Sequence, residues 1–151
     1  MRQIVNNHNY SDAVCEVPPI DIIENEEPNV GSKTFTVPGN ELWLLNWAHI
    51  VYISSDNAGT RTIKMEMLNS SDRVVMDSLA GVHQTAGLVR HYEWLIGIFR
   101  ETAFLDIELQ VPIPANFYIP AGYKLKFYDK YAIDPAGDQM ILDFEIIRLQ
   151  V

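Results

Sequence analysis

The sequence predicts an all-β protein, an antiparallel β-sandwich of jelly-roll type (residues 33–151) preceded by an extended N-terminal arm (residues 1–32). Three observations carry this expectation. Apolar and polar residues alternate from near Thr34 almost to Val151, turn-forming residues recur at short intervals through that stretch, and no helix-period segment competes with it. A chain of 151 residues suits one domain and is long enough to bury a sizeable core.

The arm stands apart in composition. Pro18-Pro19 and Pro28 break regular structure, while Glu24, Glu26 and Glu27 add an acidic cluster around few apolar residues. Such a segment buries little core of its own, so Pro18, Pro19, Ile22 and Ile23 are expected to touch a partner.

The strands follow in order. Phe35 and Val37 begin a short one that stops at Pro38-Gly39-Asn40, and Glu41 to Ser55 is the longest, ending at an Asp56-Asn57-Ala58-Gly59 turn. Arg61 to Leu68 is expected to return as its hairpin partner, with Ile63, Met65 and Met67 on one face, before Asn69 to Asp72 turns the chain into Arg73 to Leu79. Tyr92, Trp94, Ile96 and Ile98 mark a further strand, and Leu105, Ile107 and Leu109 are expected to face inward in the next, which Pro112 and Pro114 end. Phe117 to Ile119 is short. The last two strands place Tyr123, Leu125 and Phe127, then Leu142, Phe144 and Ile146, inward, for eight or nine strands in all.

Glu41 to Ser55 departs from clean alternation. Strict period-two counting puts Trp43, Leu45, Trp47, Val51 and Ile53 on one face and Leu42, Leu44, Ala48, Ile50 and Tyr52 on the other, so both faces need cover. The chain's own loops or arm would serve, and so would a neighbouring subunit; Trp43, Trp47 and Tyr52 are the candidate interface residues.

A formal charge of -9 sets the chain against nucleic acid and anionic lipid. The start, Met1 to His8, lacks the apolar core of a signal peptide, and no run is apolar enough to span a bilayer, so synthesis and retention in a cytoplasm are expected. The single Cys15 has no disulfide partner within the chain.

The sequence carries no recognisable catalytic constellation, so the expectation is a protein that is not an enzyme and needs no cofactor or metal. There is no nucleophile elbow, no phosphate-cradling glycine loop and no His-Glu-x-x-His pair, and His8, His49, His83 and His91 are scattered. Asp106 with Glu108, and Asp143 with Glu145, are each two apart, about 6 to 7 Å on a strand, a spacing near that of glycosidases but also that of any half-solvated sheet. Asp129, Asp134 and Asp138 around Pro135-Ala136-Gly137 suit a tight turn, with calcium binding by these three carboxylates, Asp134 and Asp138 above all, as the alternative.

The stretch from Glu41 through Trp43, Trp47 and Tyr52 to Asn57-Ala58-Gly59, with Ile119-Pro120-Ala121-Gly122-Tyr123-Lys124-Leu125 and Asp134-Pro135-Ala136-Gly137-Asp138, resembles the small jelly-roll capsid decoration (cement) proteins of tailed bacteriophages. The resemblance covers about Phe35 to Leu149 and rests on turn-and-strand patterns. It implies a virion structural protein on the capsid exterior, made in the host cytoplasm, bound to the major capsid protein and assembled as a homotrimer. Two other functions remain open: a carbohydrate- or receptor-binding module using aromatics such as Trp94 or Tyr118, and a glycosidase using Glu108 or Asp106.

Overall fold

The structure, a computed structural model, describes residues 19–25, 31–99 and 101–151. Among them are ten strands: β1 (Ile20–Asn25), β2 (Ser32–Thr36), β3 (Glu41–Ile53), β4 (Ile63–Leu68), β5 (Val74–Leu79), β6 (Val89–Ile96), β7 (Glu108–Ile113), β8 (Phe117–Ile119), β9 (Lys124–Asp129) and β10 (Gln139–Gln150). They form a six-stranded sheet, β1-β10-β3-β6-β7 with β8 also on β3, and a four-stranded sheet, β2-β9-β4-β5. With β7 and β8 set aside, the outermost strands in sequence pair with each other, β1 with β10 and β2 with β9, as when a long antiparallel ribbon is rolled up. That is the jelly roll the alternation predicts.

The inner faces meet in one aromatic-rich core. Trp94, Tyr92, Phe127 and Phe144 are all fully buried. Phe127 links the sheets by touching Trp94 at 5.9 Å and Phe144 at 6.3 Å between ring centroids, and Phe35 meets Phe144 edge-on at 4.8 Å. The inward sets expected in β4, β9 and β10 are those observed, with Met67 and Tyr123 only partly buried.

Several elements differ from expectation, each for a local reason. Within the expected arm, Ile20 to Asn25 is an edge strand of the six-stranded sheet, where Ile23 lies opposite Phe144 and packs on the core. Pro18 and Cys15 lie outside the described residues. The Asp56 to Gly59 turn does not close a hairpin, because the chain crosses there to the other sheet and β4 pairs with β5 and β9 instead of β3. Leu105 and Ile107 are exposed rather than inward, since Leu105 and Glu108 close a tight turn with Asp106 in the left-handed region at φ 58°, so β7 starts only at Glu108. β6 and β7 run parallel, the exception in an otherwise antiparallel fold.

The most consequential difference lies in β3. Opposite β10, Glu145 pairs with Trp47 but Ile146 pairs with Leu45, leaving Asn46 as an extra residue. A β-bulge of this kind shifts the side-chain phase by one. Trp43 and Leu45 therefore share the core face with Ala48, Ile50 and Tyr52, all buried, while Leu42, Leu44, Trp47, His49, Val51 and Ile53 share the outer face. Trp43 and Tyr52, two of the expected interface residues, are thus core residues. Trp47 remains outside.

Candidate functional site

The outer face of the six-stranded sheet is built by cross-strand neighbours, which project to the same side. Along one row stand Ile22 of β1, Glu145 of β10, Trp47 of β3, Leu95 of β6 and Pro112 of β7; along the next, Glu24, Asp143, His49, Glu93 and Gln110. Flanking rows add Ile147, Leu44 and Tyr118 on one side and Ile141, Val51, His91 and Glu108 on the other. Ile20 and Ile22 are each 56% exposed and Trp47 is half-buried, so apolar surface on this face is open to solvent across several strands. Trp47, Ala48, His49, Glu93 and Leu95 line an open depression of about 410 Å³.

Its electrostatics are one-sided. Glu24, Asp143, Glu145, Glu93 and Glu108 occupy outward positions, and no Lys or Arg does so among the described residues of these strands. Asn46 Nδ2 donates to Glu145 at 2.8 Å and Gln110 Nε2 to Glu93 at 3.1 Å, so two carboxylates are oriented by neutral amides.

Between them sits a pair that sequence spacing did not join. His49 Nε2 and His91 Nδ1 are 3.1 Å apart, and Asp143 Oδ2 is 4.0 Å from the far nitrogen of His49. The ring centroids lie 5.3 Å apart, longer than the N···N distance by about two ring radii, so one ring donates in line to the other and their lone pairs do not converge on a common ion. Residues 42 apart in sequence meet because β3 and β6 are neighbours, a pairing that alternation alone cannot reveal.

At one end of the sandwich a second polar cluster closes the fold. Asp138 accepts hydrogen bonds from Arg61 Nε at 3.1 Å and Nη2 at 3.0 Å, from Tyr52 Oη at 3.0 Å and from the Ser55 amide at 2.8 Å. Arg61 and Asp138 are buried, and Arg61 also donates to the carbonyls of Asn57 and Gly59. Burial pushes the Asp138 carboxyl up, but the Arg61, Ser55 and Tyr52 donors outweigh it and hold the carboxyl below the usual range. Burial and then the Asp138 charge push the Tyr52 hydroxyl well up. Asp134 accepts from Ser55 Oγ and Asn57 Nδ2, and Asp129 from the Thr62 and Ile133 amides, so the three carboxylates considered for calcium serve as loop anchors.

The remaining candidates disperse. Asp106 lies in a turn while Glu108 begins β7, so they do not flank a strand cleft together. Trp94 is buried, with its indole N–H on Ser78 Oγ, and cannot stack on a sugar, whereas Tyr118 is 44% exposed. His83 bonds Thr62 Oγ1 at 2.6 Å, away from the outer sheet face. Pro19 is exposed beside β1, Ile22 is on the outer face and Ile23 is half-buried beneath it.

No family model and no curated protein matches the chain. Among solved structures it is similar to one of infectious bursal disease virus, Gx strain, at 12% identity and a TM-score of 0.38, covering 88% of this chain and 32% of that one. The VP2 subviral particle of infectious bursal disease virus gives 11% identity and a TM-score of 0.36, with 89% and 33% covered. The chain thus spans about a third of the length of those viral chains. Likeness this distant carries no argument about function.

Proposed function

We propose that this chain is a virion structural protein, a decoration or cement protein that binds the outer surface of the major capsid protein lattice and stabilises the head. The observation that carries the reading is the outer face of the six-stranded sheet, where the exposed Ile20 and Ile22 of β1 continue into the half-buried Ile147, Leu44, Trp47 and Leu95 of β10, β3 and β6. Monomeric domains seldom leave so continuous an apolar surface uncovered. The sequence resemblance to phage decoration proteins says what kind of partner covers it, and many weak contacts repeated over a shell add up to strong attachment. The protein acts by binding and not by turnover, and the resemblance makes it a homotrimer.

Mass spectrometry of purified virions, before and after surface proteolysis, tests this. The chain is expected in stoichiometric amounts and accessible from outside, and sedimentation velocity of the isolated protein is expected to give a trimer. Its absence from virions, or glycan binding by the isolated domain through Tyr118, would favour the carbohydrate-binding alternative.

A further inference from the structure

The outer sheet face also indicates the chemistry of what covers it, an inference that rests on reading that face as the docking surface. We propose that the partner is a protein surface with an apolar centre fringed by lysine or arginine, and not a second copy of the same face.

The pattern of charge carries this. Around Trp47, Leu95, Leu44 and Ile147 stand Glu24, Asp143, Glu145, Glu93 and Glu108, with no outward Lys or Arg on these strands among the described residues. Glu93 and Glu145 are hydrogen-bonded by neutral Gln110 and Asn46, which orient them without neutralising them. Two-fold pairing of this face with itself would set two acidic surfaces against each other in a partly desolvated interface, where like charges repel. The protein's own four-stranded sheet is a poor match, because Lys64 is bridged to Glu66 and Asp77 and Lys124 to Asp72, which leaves Lys126, lying over the Tyr128 ring, as the outward cation of its described strands without a carboxylate bridge. An incoming guanidinium or ammonium would find carboxylates that no Lys or Arg of the described strands of this sheet neutralises, beside the depression that Trp47, Glu93 and Leu95 offer to an apolar side chain.

The test uses the full chain, immobilised, and a displayed library of random peptides panned against it at low salt. Enriched peptides are expected to carry aromatic or aliphatic residues flanked by Lys or Arg. They should bind Trp47→Glu about 30-fold more weakly, and bind an Asp143→Asn, Glu93→Gln, Glu108→Gln variant several-fold more weakly with a shallower salt dependence. Both variants alter only outward side chains, and an unchanged melting curve confirms that each is folded. Neutral or acidic consensus peptides, binding indifferent to either variant, or no enrichment at all would overturn the proposal, as would a fall in oligomeric state in Trp47→Glu. Basic-apolar peptides combined with absence of the chain from virions would leave this inference standing and defeat the capsid reading.

Discussion

Replacing Asp138 by Ala should destabilise the fold by about 4 kcal/mol, the middle of the roughly 3 to 5 kcal/mol lost when one partner of a buried ion pair is removed. The substitution strands the buried Arg61 guanidinium, which loses two hydrogen bonds and its counter-charge while keeping the Asn57 and Gly59 carbonyls and Ser55 Oγ. It also orphans the Tyr52 hydroxyl and the Ser55 amide, each worth about 1 to 3 kcal/mol when left buried and unpaired, though these losses overlap because the loop relaxes. Against a total stability of about 5 to 15 kcal/mol for a domain, this is a large fraction, equivalent to a fall of about 10 °C in Tm. Urea denaturation followed by tryptophan fluorescence measures it. Pairing Asp138→Ala with Arg61→Met should recover much of the loss, because the unpaired charge, not the missing carboxylate, dominates. A cost below about 1 kcal/mol for the single variant, or no recovery in the double, would refute the latch as drawn.

Further expectations follow from the same geometry. Because the Asp138 carboxyl is depressed in the fold, its contribution is complete above the unfolded carboxylate value of about 3.9 and is lost as pH falls through the lower folded value. Stability of the wild type should therefore drop steeply in acid below about pH 4, and less steeply in the Asp138→Ala, Arg61→Met protein; equal slopes would contradict this. Deleting Asn46 removes the bulge and forces one half of β3 out of phase, exposing either Trp43 and Leu45 or Ala48, Ile50 and Tyr52, so circular dichroism should show loss of the cooperative melt. Phe127→Ala empties the contact between Trp94 and Phe144 and should cost about 3 to 5 kcal/mol in the same urea assay.

Much of the fold was legible because a jelly roll writes itself as period-two alternation. Leu142, Phe144 and Ile146 against Asp143 and Glu145, and Leu125 and Phe127 against Lys124 and Lys126, stand where counting puts them. Counting fails where one residue breaks the period: Asn46 reverses the phase of β3, so Trp43 and Tyr52, which period-two counting sets on opposite faces, both fall in the core. The edge strand β1 is obscured in the sequence by Pro18-Pro19 and by its acidic residues, Asp21 and Glu24, which suit a sheet edge as well as a linker. Of the docking face, the doubly apolar character of β3 was visible, but the acidic rows and the His49–His91 contact were not, since they depend on which strands become neighbours.

The central claim is that the outer face of the six-stranded sheet docks onto a capsid. The most direct measurement is co-sedimentation of the purified chain with shells assembled from the major capsid protein encoded in the same genome, comparing wild type with Trp47→Glu. The account predicts saturable binding by the wild type at a fixed ratio to capsid subunits, and binding about 30-fold weaker for the variant at an unchanged Tm. Wild-type protein that stays in the supernatant, or a variant that sediments as well as the wild type, would contradict it.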